Sequence, residues 1–239
     1  MNKIIPKQVF LSWKTKDIIN SNLDIIIHGV GSFIDLNPDW VVTVYGDEEV
    51  DGYLRDTLDL KDYKLIENIH IVAKTDIWRL FKMYLEGGMY MDIDRLCNKS
   101  ISSLIGEGIK WVLPTCREFD FSHDLMISAP TNPVFLKTIE LYFQRKREGS
   151  NNTYFLGAQT YMHAITETLF GRVINTNPGI EIFKQIRREL DKISFIKTFR
   201  EDPPYSTFLF NKEDTNLNME DMKRDLYKKS SIKHWTGEW

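Results

Sequence analysis

Apolar and polar positions alternate along this chain in two different periods. Ala73, Ile77, Leu80, Phe81, Tyr84 and Leu85 fall at i, i+4, i+7, i+8, i+11 and i+12, which is one apolar face of a helix. Gly87-Gly88 ends that helix, because glycine accepts the left-handed backbone beyond a helix C-terminus. Met89-Tyr90-Met91 then reads as a short strand running into Asp92-Ile93-Asp94. Upstream, Gln8–Trp13 and Trp40–Tyr45 read as apolar strands. Between them Ile18 to Leu36 reads as a helix weakened by Gly29 and Gly31, followed by the turn Asn37-Pro38-Asp39. Asp47-Glu48-Glu49 opens another helix with acids in its first turn. Downstream, strands are expected at Lys110–Leu113, Leu125–Ser128 and Arg172–Ile174, and helices at Pro133–Lys146, Gly157–Phe170 and Ile180–Leu190. Later β candidates are Tyr205–Phe210 and Ser231–Trp235. Alternating strands and helices predict an α/β fold with a mostly parallel sheet covered on both faces. Ligands then bind beyond the carboxyl ends of the strands, which sets Trp13, Tyr45 and Asp92–Asp94 at one rim.

Composition narrows the function. The 239 residues carry 31 Lys+Arg against 34 Asp+Glu, a net charge of −3, so wholesale binding to a nucleic-acid backbone is not expected. No apolar run reaches the ~20 residues of a membrane span, and the N-terminus lacks a signal-peptide core. Cys97 and Cys116 make neither a disulfide framework nor a zinc knuckle, so a cytoplasmic protein is expected. Aromatics reach 13% with six Trp; Trp40, Trp78 and Trp111 are expected in the core. His28, His70 and His163 show no ligand spacing. Arg145-Lys146-Arg147 and Lys228-Lys229 read as solvated charged faces.

Three groups of residues carry candidate chemistry. In an extended segment Asp92 and Asp94 point the same way, and two carboxylates at the mouth of a sheet attract a hard divalent cation whose shell phosphate oxygens complete. Asp76 and Arg79, at i and i+3 on the preceding helix, form either a surface ion pair or a clamp in which the guanidinium forks onto phosphate or sugar hydroxyls. Lys233-His234-Trp235-Thr236-Gly237-Glu238-Trp239 is unusually aromatic for a tail. It is either an anchor or a segment that closes over a ligand.

The stretch Asp76-Ile77-Trp78-Arg79 through Gly87-Gly88-Met89-Tyr90-Met91-Asp92-Ile93-Asp94 resembles the DxD signature of the family 32 glycosyltransferases, and is similar to one in the catalytic domains of large clostridial glucosylating toxins. Ile5-Pro6-Lys7 with Trp13, Asn37-Pro38-Asp39-Trp40 with Asp47-Glu48, and the closing His234-Trp235-Thr236-Gly237 with Trp239 resemble flanking pieces in the same order. The resemblance implies one catalytic domain over residues 1–239 with a GT-A fold: a Rossmann-like central sheet flanked by helices, with a small additional β element near the DxD site. It implies a metal-dependent, retaining transfer of a sugar from a nucleotide-sugar donor to a glycan or other hydroxyl acceptor, with Mn²⁺ or Mg²⁺. A UDP-sugar such as UDP-glucose ranks ahead of a GDP-sugar, and polysaccharide biosynthesis is the expected setting. By the same resemblance Asp94 would ligate the metal and Asp92 would contact ribose and metal-bound water. Asp76 and Arg79 would hold the donor sugar, Tyr90 would line the site, and Trp13 would stack on the base. His234 and Trp239 would meet the metal and diphosphate, with Glu238 a rival ligand to His234.

The chain departs from the family pattern at three places. His123 precedes Asp124-Leu125-Met126 where the family often has Asn, Gly157-Ala158-Gln159 lacks a Pro, and Glu238 replaces a Ser. Asp124 and Gln159 are the nearest candidates for a nucleophile. The expected mechanism is instead same-face attack within an ion pair. A metal-dependent phosphohydrolase and a non-catalytic nucleotide-sugar binder are the alternatives.

Overall fold

Side-chain alternation along the strands divides the core in two. On the central strand β3 (Gly88–Met91), Met89 and Met91 enter one apolar cluster and Tyr90 the other. Strand β1 (Gln8–Ser12) splits likewise, with Val9 and Leu11 against Phe10. This two-residue period makes a sheet buried on both faces.

The computed structural model describes residues 4–18, 24–95, 97, 100–116, 120–121, 123–152, 155–174, 180–201, 224–226 and 228–229. In chain order after β1 come α1 (Asp24–Leu36), β2 (Val41–Tyr45), α2 (Asp47–Thr57), α3 (Leu60–Ile66), α4 (Ile71–Leu85) and β3. They are followed by β4 (Trp111–Cys116), β5 (Asp120–Phe121), β6 (Leu125–Ser128) and α5 (Pro133–Arg147). A π-turn at Phe155–Gln159 leads into α6 (Thr160–Phe170), then α7 (Ile180–Leu190) and β7 (Ile196–Glu201). The sheet order is β2-β1-β3-β6-β4-β5, with β7 also paired to β4. Strands β1, β2, β3, β4 and β7 run one way, while β5 and β6 run against them. The sheet is therefore mixed and mostly parallel. Helix α1 covers one face through Ile26, Val30 and Phe33. Helices α2, α4, α5, α6 and α7 cover the other. Strand β5 is the small additional β element, paired to the end of β4.

Trp40, Trp78 and Trp111 are buried, as expected. Other expectations change. Of the helix read from Ile18 to Leu36, Asp24–Leu36 is helical and Ile18 lies outside the helix. Gly29 is more than a weak point in α1: a Cβ there would sit 2.5 Å from the Arg95 carbonyl oxygen, so it lets α1 approach the loop after β3. Arg172–Ile174 is not a strand. Gly171, at φ 64, caps α6, and Arg172 is tied to α7 by its side chain, 2.9 Å from Glu189, rather than by a ladder. Helix α3 and strand β7 were not expected. Tyr205–Phe210 and Ser231–Trp235 lie outside the described residues, and no described helix is long and apolar enough to cross a membrane.

Lys82 is held in the α4-side core with only 4% of its side chain exposed. Its ammonium lies 4.4, 4.7 and 5.1 Å from the ring centroids of Phe10, Tyr45 and Tyr53, donates to the Tyr45 hydroxyl at 3.1 Å and pairs with Glu86 at 2.5 Å. Glu86 is 37% exposed and stays solvated without Lys82, whereas Lys82 without Glu86 is a buried charge that has lost its counter-ion. Lys82→Met, which keeps the stem, is expected to stay within about 1 kcal/mol of the parent, whereas Glu86→Ala should cost about 2 kcal/mol. Urea melts of the two variants check this, and the reverse order would refute it.

Candidate active site

Strand β3 ends at Met91, so Asp92 stands just past the carboxyl end of a central strand. Its backbone N–H still bonds to the Asp124 carbonyl at 2.9 Å. Tyr90 and Asp92, two residues apart, face the α4 side together. The Tyr90 hydroxyl donates to Asp92 Oδ1 at 2.7 Å. Arg79, one turn before Lys82 on α4, reaches both from below, with Nη1 at 3.3 Å from Asp92 Oδ1 and 3.4 Å from the Tyr90 oxygen. Its Nη2 donates to Asp76 Oδ1. The guanidinium carbon lies 5.1 Å from the Tyr90 ring centroid.

This is not the surface ion pair that the i, i+3 spacing also allowed. The Arg79 and Asp76 side chains are 4% and 16% exposed. Burial opposes the arginine's charge, and Asp76, then Tyr90 and Asp92, outweigh it and raise its pKa. The Arg79 Nε–H is buried without a partner among the described residues, a donor left for something to fill.

Asp92 and Asp94 lie close enough to repel. Burial, then the charges of Asp124 and Asp94, push the Asp92 carboxyl up to about 7 against the pull of Arg79 and the Tyr90 hydrogen bond. The extended geometry expected for Asp92–Asp94 is corrected here: Ile93 and Asp94 form a turn, so their proximity comes from chain reversal and not from strand pleat. Among the described residues no set of three or more His, Cys, Asp or Glu side chains could hold a metal alone. Two hard, mutually repelling carboxylates nevertheless fit a divalent cation that takes its remaining ligands from phosphate, water or further protein groups.

A small pocket lies beside Asp76 and Arg79. His123, Tyr142, Tyr161 and Gly157 line it over a floor that includes Leu80, Met126 and Leu156. Burial and then the charge of Arg79 push His123 down to about 4, against Asp76 and Asp124, so its ring is neutral at physiological pH. Burial holds the Tyr161 hydroxyl well above its ordinary range, opposed by Trp111 and Arg79.

The structure thus brings together Asp76, Arg79, Tyr90, Asp92 and Asp94. Asp124 is beside them, but its carboxylate is ion-paired with Arg95. Gln159 is half-buried at the end of the π-turn and does not line the pocket. Trp13 continues β1 by donating its N–H to the Tyr45 carbonyl at 2.9 Å, and its indole packs at the edge of the α1-side core, away from Arg79. His234, Glu238 and Trp239 lie outside the described residues. His123 and Gly157 were visible in the sequence only as departures from a pattern. Tyr142 and Tyr161 gave no signal, since aromatics at helical spacing read as core.

Comparisons with known proteins agree with this geometry. Residues 26–110 match the family described as the glycosyltransferase sugar-binding region containing the DXD motif. A mannosyl phosphorylinositol ceramide synthase of Saccharomyces cerevisiae is 28% identical over 140 residues, covering 58% of this chain and 35% of that protein. An inositol phosphoceramide mannosyltransferase of Schizosaccharomyces pombe is 28% identical over 159 residues, 66% of this chain and 43% of that protein. An uncharacterized glycosyltransferase of Acanthamoeba polyphaga mimivirus is 24% identical over 126 residues, 52% of this chain and 50% of that protein. The chain spans between a third and a half of the length of these relatives. Among solved structures, the PaToxG glycosyltransferase superposes with a TM-score of 0.51 at 20% identity over 71% of each chain. That likeness is one of fold and, with the mixed sheet, matches the GT-A architecture. Asp76, Arg79, Asp92 and Asp94 all lie within the stretch that matches the glycosyltransferase sugar-binding region containing the DXD motif.

Proposed function

We propose that this protein is a metal-dependent, retaining glycosyltransferase that moves a hexose from a nucleoside-diphosphate sugar to a hydroxyl acceptor. The observation that carries the reading is the Asp76–Arg79–Tyr90–Asp92 cluster built around the buried Arg79, with a small pocket beside Asp76 and Arg79 and the Asp94 carboxylate crowding Asp92. Asp92 and Asp94 would hold a divalent cation, which when bound neutralises the charge growing on the departing diphosphate. Asp76 is placed to accept from sugar hydroxyls. Arg79, fixed by its carboxylates and the Tyr90 hydroxyl, presents preorganised positive charge to the same ligand. In the step itself the bond from C1 to the phosphate oxygen breaks, with its electron pair going to the diphosphate. The acceptor oxygen bonds to C1 from the same face, and its proton passes to the leaving phosphate. Asp124 is a poor nucleophile, because its carboxylate is engaged by Arg95.

The relatives' names point to mannosyl transfer and to an inositol-containing acceptor. A GDP-sugar therefore joins the UDP-sugar as donor, and an inositol hydroxyl joins the glycan as acceptor. Slow hydrolysis of UDP- and GDP-hexoses with and without Mn²⁺ tests the reading without knowledge of the acceptor. One donor is expected to release sugar only with the metal. Release of phosphate from simple phosphomonoesters, with no nucleotide-sugar turned over, would instead favour a phosphohydrolase.

A further inference from the structure

The basic run Arg145-Lys146-Arg147 at the end of α5 is not one solvated face. Arg147 reaches Asp62 at 2.6 Å and is 54% exposed, and Lys146 bonds to exposed Asn151. Arg145 turns inward and is only 7% exposed. Its Nη1 donates to the Phe155 carbonyl at 3.2 Å and the Thr160 hydroxyl at 2.5 Å, and its Nη2 faces His163 Nδ1 at 2.9 Å. The guanidinium carbon sits 4.2 Å from the Phe155 ring centroid. The Thr160 hydroxyl in turn donates to the same Phe155 carbonyl at 2.8 Å. On its far side His163 Nε2 lies 2.8 Å from Glu167, which also pairs with Lys137 at 2.9 Å. His163 is therefore neutral with its proton on Nε2, and its Nδ1 accepts from Arg145.

These contacts converge on the first residue of the π-turn, Phe155–Gln159. A π-turn carries one residue more than the α-helical register and leaves backbone groups outside the usual ladder. Here the Phe155 carbonyl accepts from Arg145 and from the Thr160 hydroxyl in addition to any bond of the turn itself. The turn also carries Leu156 and Gly157 into the pocket beside Asp76 and Arg79. A Cβ at Gly157 would lie 3.4 Å from His123 Nε2 and 3.8 Å from Asp76 Oδ2, so this wall stands against the pocket's polar groups. Collapse of the turn to α-helical register would shift Gly157 by about 100° around the helix axis and take the wall away.

We infer that Arg145, with Thr160 and His163, is a positioning device that holds the π-turn so that Gly157 closes the sugar side of the donor site. The inference rests on the proposed function for its ligand, while its structural half stands apart from it. The experiment uses the full chain with Mn²⁺ and whichever UDP- or GDP-hexose the parent hydrolyses. Arg145→Lys keeps a charge and loses the fork; Thr160→Val loses the hydroxyl; Thr160→Ser restores it. For the first two variants the donor KM should rise about 10-fold or more, while inhibition by the matching nucleoside diphosphate, which lacks the sugar, stays unchanged. Thr160→Ser should return KM to the parent value. Amide hydrogen exchange over residues 156–160 should speed up in the first two variants only. A KM and a nucleoside-diphosphate affinity that move together, or neither moving while the melting temperature falls, would overturn the inference, and so would unchanged exchange in the turn. If the parent hydrolyses no nucleotide-sugar the proposed function fails, and the exchange measurement still decides whether Arg145 holds the turn.

Discussion

Asp94→Asn is expected to lower metal-dependent donor turnover by about 10³-fold, the several kcal/mol that a correctly held cation contributes, with the fold intact. Asp94 sits in a turn beyond the sheet rather than in a core cluster. Removing its charge also relieves part of the repulsion that pushes Asp92 up to about 7. The stabilisation by Mn²⁺ with nucleoside diphosphate, read as a shift in melting temperature, should vanish in the variant. Asp76→Asn makes the informative contrast. It takes the formal charge from one partner of a guanidinium that is 4% exposed, so stability should fall together with turnover. If Asp94→Asn retained more than a tenth of parental turnover, the two-carboxylate site would not be the metal site, and the reading would lose its basis.

The separation between these two aspartates explains what was legible in the sequence. Periodicity placed α4, the glycine pair and β3 in order, and a matched motif placed Asp76, Arg79, Asp92 and Asp94 on them. These signals are local, because residues a few positions apart share a helix face or a strand end. The same locality explains the misses. Asp76 and Arg79 at i, i+3 read equally well as a surface pair, and only the depth of α4 in the sheet's cover decides between the two. The pocket joins α4 to His123 after β5, to Tyr142 on α5 and to Gly157 and Tyr161 around the π-turn, and no spacing along the chain encodes that meeting. Arg145 was misread for a related reason. In a run of three basic residues each looks solvated, and which one turns inward depends on the register of α5 against α6. Gly29 looked like a helix breaker because the loop it admits, at Arg95, is far from it in sequence.

Gly87→Ala is expected to destabilise the protein by about 3–5 kcal/mol, the sum of a left-handed backbone forced on an L side chain and of overpacking against rigid atoms. Gly87 has φ +67, and its Cβ would lie 2.6 Å from Pro130 N, 2.7 Å from Pro130 Cδ and 2.8 Å from the Ser128 carbonyl oxygen. These neighbours cannot swing away. Ser128 pairs with Gly88 across the β3–β6 ladder, and the Thr131 N–H bonds to the Tyr84 carbonyl at 2.6 Å. Gly88→Ala should behave alike, since φ is +105 and its Cβ would meet the Gln8 carbonyl oxygen on β1 at 2.6 Å. Gly108 and Gly149 separate the two contributions. They have φ +76 and +91, yet a Cβ at either would meet nothing within 4 Å, so Gly108→Ala and Gly149→Ala should cost only the backbone share, about 1–2 kcal/mol. At this chain length the difference corresponds to roughly 5–10 °C in melting temperature, which calorimetry resolves. Equal losses at all four positions would mean that the glycine pair serves only the turn. A larger loss at Gly87 and Gly88 would mean that it is also where β1, β3 and β6 close on one another, and hence what fixes Asp92 over Arg79.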